Sequence, residues 1–495
     1  MGKRRPPVLF LYQFRRSRVR YSKPLASGYR TNNSGGLNNV GSNGYYWAAV
    51  PNSAANGRNL NFNASNVNPL NTNNRANGFS VRAVRAFNIL RRFYNMKYTR
   101  DKIHELATQG YLSARKNIRN HFHPLKFELR LEKTIYEIAN DLYRREYIPR
   151  PFECFMIYDP TLREVFAPNI DDALESHILF SQIDPLFERV FIYDSYSCRK
   201  GKGAQFGIER FEHHIRSCTQ NYTRPAYILN IDISGYFMSI NKGILYSIIC
   251  EHFAKFRRSQ LNRNTSTTWD EVLDFNFLDY LVRLELFSNP LENCRIIGNT
   301  SLRGILPPNK SMWHSPIGTG VTIGRVTNQL NSNIYLNEYD QYVKRTLHCK
   351  NYGRYVDDAR ILSADIHFLE DVRDASTEFL KERLKLVVHP KKTNIISTEE
   401  TALFLGGAFR NYRRYASDNT VRRFREKIKI CEELVCSRNC NIDSVLSSLN
   451  SYLGHLQHFK ERKLIRMSLS GSPLNEIFDF EKYNYRKATI KKDSI

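Results

Sequence analysis

The pattern of apolar and polar positions divides the chain into helical and strand-like stretches. Between residues 99 and 147, apolar side chains recur at helical spacing with Glu and Arg between them, which predicts amphipathic helices. The apolar members of this pattern are Leu129, Leu131, Ile135, Ile138 and Leu142. In contrast, residues 227–231 and 352–362 are rich in β-branched and aromatic residues, which predicts strands. The chain is therefore predicted to contain both helices and strands.

Two further amphipathic helices are predicted after residue 410. The first has basic residues at Arg422, Arg425 and Lys429, on a face different from its apolar one. Its apolar face is formed by Val421, Phe424, Ile428, Cys431 and Val435. The second brings together Leu446, Leu449, Leu453 and Leu456. Residues 467–495 are predicted to be a loosely ordered tail.

The first 95 residues differ in composition from the rest of the chain. Residues 1–26 are basic, and residues 27–88 contain clusters of Asn with Gly, Ser and Ala between them. Asn and Gly favour turns, so this segment is predicted to have sparse regular structure and poor order. Two short runs within it, residues 44–47 and 78–85, nevertheless have the composition of strands. On composition alone, the segment can also be a low-complexity leader.

Charge and composition narrow the class of partner. The net charge is +26 and the sequence pI is about 9.7, which indicates a polyanionic partner, most simply nucleic acid. Aromatic residues make up 13% of the chain, which suits base stacking as well as packing. No apolar run approaches the ~20 residues of a membrane span, so we expect no membrane partner. The nine cysteines are scattered and odd in number, which is consistent with reduced thiols and a cytoplasmic location.

Three acidic residues stand at the ends of the predicted strands. Asp357 and Asp358 lie between two β-forming runs, which predicts a tight hairpin with both acids at its tip. Asp232 ends the run 227–231 and precedes a Gly-containing turn. Adjacent carboxylates repel unless a cation lies between them, and Mg²⁺ prefers such oxygen ligands. Three carboxylates on two apolar elements could hold two Mg²⁺ ions for nucleotidyl transfer, although each acid alone could be an ordinary turn or strand-end residue.

These two motifs together resemble those of the reverse transcriptases. The sequence Tyr355-Val356-Asp357-Asp358 is similar to their catalytic hairpin. Asp232, with an aromatic residue five positions later, is similar to their first metal-binding motif. The resemblance covers about residues 100 to 465 and implies RNA-directed DNA polymerase activity.

The resemblance also implies an architecture and a metal site. The fold would be α+β, that of a right-hand polymerase, with fingers, a palm built on an antiparallel sheet, and a helical thumb. The fingers and palm would span residues 96–410, the thumb residues 411–466, and residues 1–95 would be a separate leader. Two Mg²⁺ ions would be held by the three acids, with the Ile233 carbonyl assisting.

Three residues would contact the incoming nucleotide if the resemblance holds. Arg163 and Arg199 would neutralise phosphate charge, and the Phe237 ring would lie under the sugar and exclude a 2′-hydroxyl. Arg199 lies in a stretch rich in Gly and Lys, and the alternative for that stretch is a generic basic turn. The family usually has an Asp-Arg pair after the strand of Arg163, whereas Asp171-Asp172 stands here.

The Gly-rich stretch at residues 316–329 is predicted to be a loop that opens a helix, and by resemblance Gly324 and Gln329 would lie near the forming base pair. Ile323 stands where many reverse transcriptases have Gln. The reverse transcriptases of diversity-generating retroelements share an aliphatic residue there, although their pattern ends in Ser-Gln and not Asn328-Gln329. Because Ile323 cannot hydrogen-bond a nucleotide, we expect an error-prone enzyme.

Two later motifs complete the resemblance. Lys392 lies in a His-Pro-Lys-Lys-Thr stretch that is similar to the motif near the leaving pyrophosphate, where it could act as a general acid. The alternative for Lys392 is a solvated lysine in a turn. Phe404, Leu405 and Gly406 resemble the start of the hairpin that grips the primer, where glycine would permit close contact with the primer end.

The leader points to one type of reverse transcriptase. Residues 27–88 resemble the end of the lectin-like target proteins that diversity-generating retroelements mutate, so we interpret them as a template repeat read in frame. The implied partners are a structured template RNA, a cDNA primer, deoxynucleoside triphosphates and a small basic accessory protein. A retron, group II intron or defence-type reverse transcriptase remains an alternative, as does a non-catalytic RNA-binding protein.

Overall fold

The computed structural model describes residues 97–117, 122–158, 161–262, 264–437 and 441–491, together with the backbone of five strands between residues 27 and 74. The chain forms two compact units, Met1–Asn95 and Met96–Ile495. The two units are treated separately below.

The first unit contains a five-stranded sheet. Its strands are β1 (Ser27–Arg30), β2 (Leu37–Val40), β3 (Gly44–Pro51), β4 (Asn56–Phe62) and β5 (Val67–Asn74), in the order β2-β1-β3-β4-β5. The prediction of sparse regular structure is wrong for these segments, and the predicted poor order of residues 1–95 remains a prediction. The predicted strand at residues 44–47 is confirmed within β3, and the one predicted at residues 78–85 lies outside the described residues. The sequence Asn59-Leu60-Asn61-Phe62 shows why: polar and apolar residues alternate, and this period of two favours a strand despite the Asn content.

The second unit begins with helices and a small sheet, in the region predicted to be the fingers. Its first elements are α1 (Arg100–Ala114), α2 (Phe122–Glu128), α3 (Leu131–Arg144), β6 (Glu153–Tyr158), β7 (Leu162–Ala167), α4 (Ile170–Phe187) and α5 (Ala204–Cys218). The predicted helical pattern at residues 99–147 is confirmed. On α3 it buries Ile135, Ile138 and Leu142, whereas Leu129 lies before the helix and is exposed.

The central part is built on a four-stranded antiparallel sheet. Its elements in chain order are β8 (Tyr227–Ile231), α6 (Tyr236–Ser239), α7 (Lys242–Arg258), α8 (Trp269–Val272), α9 (Phe275–Phe287), β9 (Arg295–Ile296), α10 (Val326–Gln341), β10 (Asn351–Tyr355), β11 (Asp358–Ser363), α11 (Ile366–Leu384) and β12 (Asn394–Ser397). The sheet has the order β10-β11-β8-β12, and each neighbouring pair is antiparallel. The short β9 pairs instead with β6, which lies beside β7.

This sheet is buried on both faces. Along β8, Leu229 and Ile231 face one hydrophobic core, whereas Ile228 faces a second core. On β11, Ile361 and Leu362 divide between the same two cores. A sheet covered on both faces needs apolar residues at successive positions, which explains the continuous apolar runs in these strands.

The last part of the chain is a three-stranded sheet followed by helices. Its elements are β13 (Ala402–Phe404), β14 (Gly407–Arg410), β15 (Arg413–Ala416), α12 (Asp418–Cys436), α13 (Ile442–Leu456), α14 (Arg462–Leu469), α15 (Leu474–Ile477), β16 (Phe478–Asp479) and β17 (Thr489–Ile490). The two predicted thumb helices are confirmed as α12 and α13. Their apolar faces join the second core, and Arg422, Arg425 and Lys429 are exposed.

The prediction of a loosely ordered tail after residue 467 is wrong for its described residues. Leu474, Phe478, Phe480 and Ala488 are buried in the same core as the thumb helices. The Asn450 side chain on α13 also donates a hydrogen bond of 3.1 Å to the Ala488 carbonyl. The short apolar clusters of the tail therefore complete the thumb core instead of lying in solvent.

The architecture is α+β, as predicted, and its elements follow the order expected for fingers, an antiparallel palm and a helical thumb. Within the part of the chain that the structure describes, no helix is long and apolar enough to cross a membrane.

Candidate active site

The Asp357-Asp358 pair lies at the tip of an antiparallel hairpin, which confirms the predicted turn. Tyr355 on β10 pairs with Asp358 on β11, so Val356 and Asp357 form the connection between the strands. Val356 has a φ of +57°, a left-handed conformation that β-branched residues rarely adopt. The backbone of this turn is therefore held in place by contacts around it.

Asp232 lies on the strand next to this hairpin. It follows β8, where Ile231 pairs with Ala359 of β11, so the next position along this ladder brings Asp232 opposite Asp358. The amide of His389 donates a hydrogen bond of 2.8 Å to the Asp232 carbonyl and continues the sheet on the other side. Acids that lie 125 residues apart in sequence (from 232 to 357) thus stand on adjacent strands.

The electrostatics of the site reflect this clustering. Burial, together with the neighbouring charges of Asp232 and Asp358, raises the pKa of Asp357 to about 6. Burial also raises the pKa of Asp358; the Arg360 guanidinium opposes this change and the Asp232 charge adds to it. The three carboxylates therefore interact, and a nearby positive charge would stabilise their ionised forms.

Two basic side chains supply part of that charge. The Lys392 ammonium lies 3.1 Å from Oδ2 of Asp232, and its predicted contact with the leaving pyrophosphate remains a prediction. Arg360 forms an ion pair with Asp358, and its second terminal nitrogen lies 3.2 Å from Oδ2 of that residue. Lys392 is largely exposed, so it is free to move when a ligand enters.

The residues present fit the two Mg²⁺ ions that the sequence implies. Three carboxylates are the oxygen donors that Mg²⁺ prefers, and the raised pKa of Asp357 indicates that a cation would relieve their repulsion. Lys392 is paired with Asp232, and Arg360 is paired with Asp358. With the side chains in these positions, the described residues form no cluster of three metal-ligating side chains. Asp232, Asp357 and Asp358 are the side chains that would hold the ions, with the Ile233 carbonyl next to them in the chain.

A buried ion pair supports the hairpin from below. The Arg354 side chain on β10 is 1% exposed and donates hydrogen bonds of 2.7 and 2.6 Å to the two carboxylate oxygens of Asp340 on α10. It also donates a hydrogen bond of 2.6 Å to the Val356 carbonyl, at the turn itself. The Tyr352 hydroxyl adds a third hydrogen bond, of 2.6 Å, to Asp340. Neither Arg354 nor Asp340 was predicted from the sequence. The signal that could have indicated the pair is the charge of Arg354 within an otherwise apolar strand run.

In this structure the Arg199 side chain is paired within the protein, and its predicted role as a triphosphate contact remains a prediction. Its side chain is 5% exposed and forms a bidentate ion pair with Glu188 at 2.8 Å. The remaining donors are used on the carbonyls of Ile192 and Ser195, at 2.7 and 2.9 Å. Arg199 therefore fixes the segment that precedes α5. The sequence could not indicate this because Glu188 belongs to a different motif.

The positions of Arg163 and Phe237 leave their predicted roles open. Arg163 lies on β7 and is exposed, and its charge reaches the Tyr355 hydroxyl of the hairpin strand, where it counteracts part of the rise in pKa caused by burial. Phe237 is half-buried after the Asp232 turn, and its carbonyl accepts a hydrogen bond of 2.9 Å from Val321. Both contacts with the nucleotide remain predictions.

The Gly-rich loop is attached to the fingers. The Phe166 amide of β7 donates a hydrogen bond of 2.8 Å to the Ile323 carbonyl. Gly324 has a φ of +135°, and a Cβ there would lie 2.4 Å from the Phe166 carbonyl oxygen, so only glycine fits. Gly324 and Gln329 are exposed and Ile323 is half-buried, so their predicted approach to a base pair remains a prediction.

The predicted primer-grip hairpin is present, but its glycine has another role. Leu405 and Gly406 form the tight turn between β13 and β14, and Phe404 is buried. The Gly406 carbonyl accepts hydrogen bonds of 2.9 Å from the Ser417 amide and the Thr420 hydroxyl at the start of α12. The close backbone approach predicted for the primer end is therefore made to the thumb helix. A contact of Phe404, Leu405 or Gly406 with the primer itself stays a prediction.

Comparisons with known proteins give a partial likeness in fold. No protein-family model matches the chain, and no curated protein does. Among solved structures, apo telomerase from Candida tropicalis matches with a TM-score of 0.40 and 12% identity over 65% of this chain and 58% of that chain. Telomerase from Candida albicans in complex with a fragment of telomeric RNA matches with a TM-score of 0.39 and 10% identity over 70% of this chain and 67% of that chain. A truncated Candida tropicalis telomerase matches with a TM-score of 0.37 and 12% identity over 55% of this chain, which spans 56% of the length of that protein.

The raised pKa of Asp357 leads to a test on the metal-free protein. Because its folded-state pKa of about 6 exceeds the ordinary value, ionising Asp357 destabilises the fold, by up to about 2 kcal/mol after allowance for solvent screening. We expect Asp357→Asn to raise the melting temperature in EDTA at pH 8, with roughly half of that gain left at pH 5, where the folded carboxyl is protonated. Adding Mg²⁺ at pH 8 should raise the melting temperature of the wild type more than that of the variant. Equal gains at both pH values would contradict the assignment.

The Arg354–Asp340 pair generates a second prediction. Arg354→Met leaves the Asp340 carboxylate buried without its cation, so we expect a loss of about 3–5 kcal/mol in the free energy of unfolding. The double variant Arg354→Met with Asp340→Leu should recover part of that loss, because neither charge is then left alone. Denaturant unfolding of the single and double variants measures both effects. A double variant less stable than the single one would refute the pairing.

Proposed function

We propose that this protein is an RNA-directed DNA polymerase, that is, a reverse transcriptase. The observation that carries the proposal is the placement of Asp232 on the strand next to the Asp357-Asp358 tip, with Lys392 at 3.1 Å from Asp232. A protein that only bound RNA would need basic charge but would not need three mutually repelling carboxylates on adjacent strands. The repulsion lowers stability, so its presence favours a catalytic role.

The chemistry follows from these groups. Two Mg²⁺ ions, when bound, would activate the 3′-hydroxyl of the primer and offset the charge of the triphosphate. Asp232, Asp357 and Asp358 would hold those ions at the ends of the sheet strands. Lys392 is an exposed cation beside Asp232, and it can donate a proton to the leaving pyrophosphate. Arg163 on β7 is the second exposed cation suited to the triphosphate, since Arg199 is occupied.

The nucleic-acid partners follow from charge. The net charge of +26 favours a template RNA and a growing cDNA primer over an acidic protein surface. On α12, Arg422, Arg425 and Lys429 form an exposed basic face that can contact the phosphates of a duplex. A small basic accessory protein would bind elsewhere, and the location would be the cytoplasm; both of these proposals rest on the sequence alone.

We further propose that the enzyme belongs to a diversity-generating retroelement. Two features support this type. Ile323 stands where many reverse transcriptases have Gln, and residues 27–88 are rich in Asn. A retron, group II intron or defence-type enzyme would have the same three carboxylates, and it would lack the in-frame template repeat. The DNA around the gene separates these possibilities, because a retroelement carries a second, nearly identical copy of the repeat.

The polymerase proposal is tested by primer extension on an RNA template with Mg²⁺. We expect Asp357→Asn to reduce the rate at least about a hundredfold, since one of three ion-holding carboxylates is lost. Asp371→Asn, the same change at an exposed position on α11, is the matched control and should leave the rate unchanged. An inactive wild type, or equal rates for both variants, would refute the proposal and leave an RNA-binding protein as the function.

The retroelement type is tested by fidelity. Ile323→Gln introduces a side chain that can hydrogen-bond the nucleotide, so misincorporation opposite template adenine should fall by roughly tenfold. Ile323→Leu keeps the apolar character and should retain the error rate of the wild type. Sequencing cDNA products from both variants measures the change. An error rate that is the same for Gln and Leu would count against a role for Ile323 in fidelity.

A further inference from the structure

Arg360 contacts both the Asp358 carboxylate and the hairpin formed by β13 and β14. It is two residues after Asp358 on β11, so both side chains emerge on the same face of the sheet. Its side chain is 12% exposed, compared with 33% for Asp358. Most of the guanidinium is therefore enclosed, although the residue lies at the edge of an open site.

The contacts of Arg360 join two parts of the protein. Its guanidinium is ion-paired with Asp358, with one terminal nitrogen 3.2 Å from Oδ2. The same nitrogen donates a hydrogen bond of 3.2 Å to the Leu403 carbonyl on β13. The guanidinium carbon also lies 5.0 Å from the centre of the Phe404 ring. One side chain thus connects the Asp358 carboxylate to the β13–β14 hairpin.

That hairpin is itself attached to the fingers side and to the thumb. The Phe404 ring lies 4.9 Å from the Phe211 ring of α5. At the turn, the Gly406 carbonyl accepts hydrogen bonds from Ser417 and Thr420 at the start of α12. A change in the ion pair between Arg360 and Asp358 would therefore affect the elements that border the thumb.

We propose that Arg360 is a positioning residue that occupies the Asp358 carboxylate until a divalent ion binds and that couples ion binding to the β13–β14 hairpin. The proposal rests on the proposed function of the three carboxylates. An Arg fork uses a lone pair on each oxygen of a carboxylate, so an ion that binds Asp358 through those lone pairs displaces these hydrogen bonds. The guanidinium released in this way keeps its contacts with Leu403 and Phe404, and the hairpin shifts with it.

The first test measures ion binding without polymerisation. Mn²⁺ is titrated into the full-length protein in the absence of nucleic acid, and its affinity is followed by the electron paramagnetic resonance signal of free Mn²⁺. Because a partly exposed ion pair competes with the ion, Arg360→Gln should bind Mn²⁺ roughly fivefold more tightly than the wild type. Arg360→Lys keeps the charge and loses the fork, so we expect an intermediate affinity. If Arg360→Lys matches the wild type, simple charge repulsion explains the change, and the proposal is overturned.

The matched control is Arg414→Gln. Arg414 forms a comparable ion pair, 2.6 Å from Glu212, with a side chain that is 18% exposed, and it lies on β15, away from the carboxylates. This variant should bind Mn²⁺ with the affinity of the wild type. A wild type that shows no saturable binding, or an Arg360→Gln variant that binds as weakly as the wild type, overturns the proposal.

The second test measures the coupling to the hairpin. Hydrogen exchange of the amides at residues 402–410 is compared with and without Mn²⁺. We expect the ion to change exchange there in the wild type and in Arg414→Gln, and to leave it unchanged in Arg360→Gln. Equal responses in all three proteins would remove Arg360 from the coupling. Because neither readout requires DNA synthesis, a failed primer-extension assay would refute the polymerase function without deciding this inference.

Discussion

The buried ion pair between Arg354 and Asp340 is the interaction on which the candidate site depends. The turn it supports contains two adjacent carboxylates and Val356 in a left-handed conformation, and both features are unfavourable by themselves. Arg354 offsets them by donating to the Val356 carbonyl while its other nitrogens are held by Asp340. The hairpin can therefore present Asp357 at a fixed place because a side chain beneath the sheet determines the path of the turn.

The palm sheet provides the second constraint, since the carboxylates must stand at its edge while the strands remain buried on both faces. Ile228 and Leu229 enter opposite cores, and the acids come only where these apolar runs end. A single-residue shift in the pairing of β8 with β11 would move every side chain to the other face and separate Asp232 from Asp358. The burial of both faces is thus what specifies the register and brings the acids together.

Local patterns predicted the elements well, whereas partners distant in sequence were not predictable. The apolar runs and the acids at their ends indicated the hairpin, the neighbouring strand and the two thumb helices, because each signal lies within about 20 residues. Arg199 shows the limit: a basic, Gly-rich stretch is typical of phosphate binding, and only the fold reveals that Glu188 already occupies it. Gly406 shows the same limit, since its carbonyl accepts hydrogen bonds from the Ser417 amide and the Thr420 hydroxyl. In the tail, the apolar residues were too few to predict that they pack into the core of the thumb helices.

The distribution of cations around the acids explains how this site can exist both with and without ions. Two of the three carboxylates form an ion pair: Asp232 with Lys392, and Asp358 with Arg360. At the turn, burial raises the pKa of Asp357 to about 6, and the Lys392 charge opposes this rise. The two cations differ in what they are tied to. Lys392 is exposed and can leave freely, whereas Arg360 is enclosed and bound to Leu403 and Phe404. Replacing Lys392 is thus a local event, while displacing Arg360 must disturb the hairpin that borders the thumb.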